Sequence, residues 1–125
     1  MQYQAERIEQ IKSIYQMISL KGKKAVITGG AGGIARAVSV AFAELGADVA
    51  LLDIPAAAEE LQKNCGYLEQ TYGVTAVPVI GDVSDEESVG RAFAQMEEKL
   101  GTIDIVFSNA GITCTGLDDA DIALD

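Results

Sequence analysis

The sequence predicts an α/β fold, a doubly wound parallel sheet, on three observations. Apolar runs that read as strands alternate with stretches of helical periodicity. The runs are hydrophobic throughout instead of alternating with polar residues, so both faces of the sheet must be covered by helices. A glycine-rich passage, Thr28-Gly29-Gly30-Ala31-Gly32-Gly33-Ile34-Ala35, then joins the first strand to the helix that follows it.

Each element has its own signal. Residues 5–20 place Ile8, Ile11, Ile14 or Tyr15, and Ile18 on one helical face, and Gly22 is a left-handed cap candidate among Lys21, Lys23 and Lys24. This predicts an amphipathic helix over 1–20 that docks on its own domain or on a neighbouring subunit. Lys23–Thr28 is the first strand, and Gly33–Leu45 a helix with Ile34, Val38, Ala41, Phe42 and Leu45 inward. Gly46 ends that helix, and Asp48–Asp53 is a second buried strand. Residues 56–72 form a helix on Leu61, Cys65 and Leu68, and Val74–Asp82 is a third strand in which Pro78 suits an edge position. Ser84-Asp85-Glu86-Glu87 reads as a capping box opening a helix with Val89, Phe93, Met96 and Leu100 inward, stopped by Gly101. Ile103–Ser108 is the fourth strand. Right-handed crossovers give the strand order 3-2-1-4, the arrangement of a Rossmann fold.

Bulk properties narrow the function. A chain of 125 residues, 49% of them hydrophobic, builds one core. A net charge of −10 disfavours nucleic acid and anionic membrane surfaces as partners. With no His there is no imidazole for proton transfer and no zinc site, and no metal is expected. No apolar run approaches the roughly 20 residues that span a bilayer. Glu6 and Glu9 argue against a transit peptide. Cys65 and Cys114 stand far apart in no metal or redox spacing, so reduced thiols and a cytoplasmic location are expected.

The chemistry gathers at strand ends. A strand that stops in glycines and restarts as a helix aims unpaired N–H groups at one spot, which suits a phosphate. The loop fits two registers, Gly30-x-Gly32-x-x-Ala35 and Gly29-x-x-x-Gly33-x-Ala35. In either, Gly29, Ala31, Gly32, Gly33 and Ile34 lie against the ligand. Asp53 ends the second strand twenty residues beyond Gly33, where a carboxylate can bond both hydroxyls of an adenosine ribose. Its charge repels a 2′-phosphate, and its neighbours Leu52 and Ile54 are not basic, which favours NAD over NADP. Asp82 ends the third strand, positioned to accept from an adenine amino group, with Val83 beside it. Ser108-Asn109-Ala110-Gly111 closes the fourth strand, and its small residues admit a ligand to the backbone at Asn109, Ala110 and Gly111. Thr113 and Cys114 follow as substrate-contact candidates. Asp118 or Asp119 could cap another helix.

Together these residues resemble the short-chain dehydrogenase/reductase family over residues 21–116. Thr28, Gly29 and Gly33 match its Thr-Gly-x-x-x-Gly-x-Gly motif, with Ala35 in place of the last glycine. Ser108-Asn109-Ala110-Gly111 matches its Asn-Asn-Ala-Gly, with Ser108 in place of the first asparagine. Asp82-Val83 and Ile103-Asp104 also fit. The resemblance selects the second glycine register and implies an NAD-dependent oxidoreductase moving hydride between the nicotinamide and an alcohol or ketone, in kind a sugar or polyol. It implies a homo-oligomer, dimer or tetramer, and gives Asn109 a bracing role.

The family's proton-transfer residues, a Ser and a Tyr-x-x-x-Lys pair, are not present. The residues four beyond Tyr3, Tyr15, Tyr67 and Tyr72 are Arg7, Ser19, Thr71 and Ala76. No catalytic residue is therefore assigned. Only fourteen residues follow Gly111, and four strands are fewer than the usual six of such a domain. The expectation is an incomplete NAD-binding domain over 21–125, ending after the fourth strand with an unpaired apolar edge. A noncatalytic NAD(H)-binding or partner-scaffolding module is the alternative, and a methyltransferase a more distant one.

Overall fold

A computed structural model describes residues 14–111, with the side chain of Tyr15 left aside. The elements are α1 (Ile14–Ile18), β1 (Lys24–Thr28), α2 (Gly33–Glu44), β2 (Asp48–Asp53), a 3-10 turn (Pro55–Ala57), α3 (Ala58–Tyr72), β3 (Ala76–Ile80), α4 (Glu86–Leu100) and β4 (Ile105–Phe107). All pairings are parallel and the order is β3-β2-β1-β4, as expected from right-handed crossovers. Among the described residues no helix is long and apolar enough to cross a membrane.

Alternate residues of each strand face opposite layers, and the core divides accordingly. Ala25 and Ile27 of β1 with Val49 and Leu51 of β2 pack against Ala35 and Ala43 of α2 and Leu61, Cys65 and Leu68 of α3. Val26, Ala50 and Leu52 point the other way, onto Ala92, Met96 and Leu100 of α4. Helices therefore cover both faces, which makes the sheet doubly wound.

Several expected details shift. The strand ladders are shorter than the apolar runs: Ala76–Ile80 in place of Val74–Asp82, and Ile105–Phe107 in place of Ile103–Ser108. Pro78 does sit in an outer strand. In α2 the buried stripe is Ala35, Ser39 and Ala43, and Ile34 is 67% exposed. Helix and sheet approach so closely that alanine and serine form the contact, and the larger Val38 and Phe42 flank it half-buried. Ala41 is exposed and Leu45 lies just past the helix. The cap of α4 is Asp85, whose carboxylate accepts from Glu87 N–H at 3.2 Å, because the Ser84 hydroxyl is turned back onto Asp82.

Of the N-terminal helix, only Ile14–Ile18 is described; Ile8 and Ile11 lie outside the described residues. Ile14, Met17 and Ile18 are exposed. The chain joins the domain at Leu20, whose N–H donates to Leu45 O at 2.8 Å. Gly22 has φ +82° but stands four residues beyond α1, in a turn closed by Lys23 N–H to Leu20 O.

Candidate nucleotide-binding site

The first bond of α2 runs from Arg36 N–H to Gly32 O, which leaves the preceding N–H groups without helical acceptors. The N-cap is Gly32, which has no side chain to cap them, and the first turn carries no acidic residue. An anion is the partner this helix end suits. Two glycines of the loop are required by shape. Gly30 lies so close to β2 that a Cβ there would sit 2.7 Å from Leu51 Cβ. Gly29 has φ +66°, and a Cβ on it would meet Ala110 Cα at 3.0 Å.

Side chains from three elements hold this loop and its neighbour. Gly30 N–H donates to Leu52 O at 2.9 Å. Ala31 N–H donates to Asp53 Oδ2 at 3.0 Å, and Ile54 N–H donates to Oδ1 of the same carboxylate at 2.8 Å. From α3, the buried Asn64 aims its amide Nδ2 at Gly30 O, 3.5 Å away. The Thr28 hydroxyl accepts from Asn109 N–H at 2.9 Å and Ala110 N–H at 3.0 Å, tying the end of β1 to the segment after β4.

These constraints leave a groove of about 410 Å³ across the carboxyl ends of all four strands. It runs from Gly29 and Gly32 past Leu52, Asp53 and Ile54 to Gly81, Asp82, Val83 and Ser84, and is closed by Asn109, Ala110 and Gly111. It lies where β1 separates β2 from β4, the switch point at which such sheets take their ligands. Among the described residues its walls are mainly apolar or backbone, with carboxylates from Asp53 and Asp82 and neither Lys nor Arg. Asp82 is exposed, and its Oδ1 accepts from the Ser84 hydroxyl at 2.6 Å and from Ser84 N–H at 2.9 Å. Those bonds, the hydroxyl's first, hold the carboxyl below its ordinary range.

The groove thus gathers Gly29, Gly32, Asp53, Ile54, Asp82, Val83, Asn109, Ala110 and Gly111. Ala31 stands behind it, bonded to Asp53. Gly33 and Ile34, whose N–H groups open α2, are not among its lining residues; Gly33 faces open space, where a Cβ would meet nothing within 4 Å, and the Ile34 side chain projects outward. Thr113, Cys114, Asp118 and Asp119 lie outside the described residues. Cys65 is inert, since burial and then Glu69 push its thiol up to about 12.

Sequence reasoning missed Leu52, Gly81 and Ser84 as lining residues, and Gly30 and Asn64 as supports. Asn64 had a signal: it is a polar residue on the apolar stripe between Leu61 and Leu68. Gly30 belongs to the Gly30-x-Gly32-x-x-Ala35 register, and it is needed for packing against Leu51. A dinucleotide fits the donor set, with uncapped helix N–H groups for pyrophosphate, a carboxylate at the end of β2 for ribose hydroxyls, and an apolar hollow beyond for a base.

Comparison with known proteins identifies the family. Residues 23–123 match the short chain dehydrogenase family. A sorbose reductase of Candida albicans is 38% identical over 110 residues, 88% of this chain and 38% of that protein. An NAD+-bound xylitol dehydrogenase superposes with a TM-score of 0.69 at 34% identity, over 74% of this chain and 35% of that one. An L-sorbose reductase from Gluconobacter frateurii, complexed with NADPH and L-sorbose, gives 0.71 at 30% identity, over 83% and 40%. The chain spans about two fifths of the length of the first of these relatives. Sequence and fold agree that this chain belongs to the short-chain dehydrogenase family, and the two solved relatives hold a nicotinamide cofactor, NAD+ in one and NADPH in the other.

Proposed function

We propose that the chain carries the NAD-binding site of a short-chain dehydrogenase/reductase that moves hydride between the nicotinamide and a sugar- or polyol-like alcohol or ketone. The observation that carries the choice of NAD is Asp53 at the end of β2, in a groove that no cationic side chain among the described residues lines. A 2′-phosphate brought there would meet a carboxylate, with no lysine or arginine among the described groove residues to neutralise it. The relatives use both cofactors, one bound to NAD+ and another to NADPH, so the preference rests on this chain's own residues. The substrate class follows the sorbose and xylitol enzymes it is similar to. A cytoplasmic homo-oligomer is the setting this reading implies.

The bound cofactor would supply the hydride chemistry. The chain's residues would hold it: first-turn N–H groups of α2 at the pyrophosphate, Asp53 at the adenosine ribose, and Val83 and Asp82 beside the adenine. No Tyr-x-x-x-Lys occurs among these 125 residues, so the chain by itself should bind cofactor without turnover. Calorimetric titration with NAD, NADP and S-adenosylmethionine tests this. NAD should bind tightest, and Asp53→Ala should weaken NAD about tenfold or more and NADP less. Binding of S-adenosylmethionine alone would overturn the reading. Measurable alcohol oxidation by the chain would refute the expected lack of turnover.

A further inference from the structure

The Asp53 carboxylate has two partners within the protein. Oδ2 takes Ala31 N–H at 3.0 Å, inside the glycine loop, and Oδ1 takes Ile54 N–H at 2.8 Å. The Ala31 bond spans two elements and closes on a loop whose other ties are backbone bonds and the long Asn64 contact at 3.5 Å. It is charge-assisted, and therefore the strongest side-chain restraint on the loop. An ionised carboxylate offers about four lone-pair sites, so two N–H bonds leave room for two ribose hydroxyls.

We propose that Asp53 is a positioning residue for the phosphate-binding loop as well as a ribose ligand. One carboxylate then sets both the sugar contact and the shape of the loop that receives the pyrophosphate. The two recognitions are coupled, and removing Asp53 harms ligands that have no ribose hydroxyl to offer it. This inference rests on the proposed NAD site.

The test uses the 125-residue chain with NAD and with an NAD analogue whose adenosine carries a 2′,3′-dideoxyribose. If Asp53 only held the ribose, Asp53→Ala would bind the dideoxy analogue as well as the unchanged chain does. Coupling predicts a loss of about fivefold to tenfold for that analogue, with far-ultraviolet circular dichroism confirming the fold. A second measurement needs no variant: in the unchanged chain, the Ala31 amide should exchange hydrogen at least tenfold more slowly than the Gly33 amide, scaled to intrinsic rates. Equal analogue affinities, or an Ala31 amide exchanging as freely as Gly33, would sink the coupling and leave the NAD site standing. Failure of the unchanged chain to bind NAD would instead remove the site itself.

Discussion

The two ends of the sheet use aspartate differently. At the amino ends of the strands, Asp48 pairs with the Lys24 ammonium and accepts from Thr75 N–H at 2.8 Å, and Asp104 accepts from Lys24 N–H at 2.9 Å. These contacts link the starts of all four strands. At the carboxyl ends, Asp53 and Asp82 also accept backbone N–H groups, but they stand in a groove whose glycines leave room for something else. The difference lies in the neighbours. A lysine at the amino end neutralises its partner, while the groove at the carboxyl end has neither Lys nor Arg among the described residues that line it, so its negative charge remains for recognition.

The comparison can be broken by substitution, and the largest effect should come from Gly30. Gly30→Ala forces a methyl against Leu51 Cβ and its backbone, and should cost about 2–3 kcal/mol in urea denaturation and weaken NAD at the same time. A neutral outcome would mean that the loop is not pressed on β2. Next, Thr28→Val preserves shape but strands the Asn109 and Ala110 N–H groups, a loss of about 2 kcal/mol that Thr28→Ser should largely restore.

At the opposite end the effect should be smaller and confined to stability. Asp48→Ala should cost about 1 kcal/mol and leave NAD affinity unchanged. A changed affinity would show that the two ends are not separate. Burial alone would raise the Asp48 carboxyl, but hydrogen bonds from Lys24 and Thr75 and the Lys24 charge outweigh it and hold the carboxyl below 3.8. Its folded value is thus depressed. The contribution is complete above 3.8 and is lost as pH falls through the lower folded value, so the variant should lose less stability on acidification there than the unchanged chain. The smallest effect belongs to Ser84→Ala, which should let the exposed Asp82 carboxyl rise toward its ordinary range in an NMR titration.

The fold was largely legible because buried parallel strands advertise themselves as continuous apolar runs. The strand order followed from crossover handedness, and most of the groove followed from reading strand ends. What escaped reading were the contacts that make the loop rigid. Ile34 looked inward by periodicity, yet Ala35 and Ser39 meet the sheet because the interface admits only small residues. Ser84 looked like a cap, and Asp82 drew it away. Asp53 read as a ribose ligand, and its bond to Ala31 could not be seen from either residue alone. Such contacts depend on how close two backbones come, which composition and spacing do not encode.

Pro78 has a consequence for how this molecule would meet another strand. It lies in β3, on one flank of the sheet, and has no N–H to offer. β4, on the other flank, contains no proline, and Val106 is 54% exposed. An added strand would find no donor at Pro78, which discourages pairing along β3. A single imino acid thus blunts one outer strand.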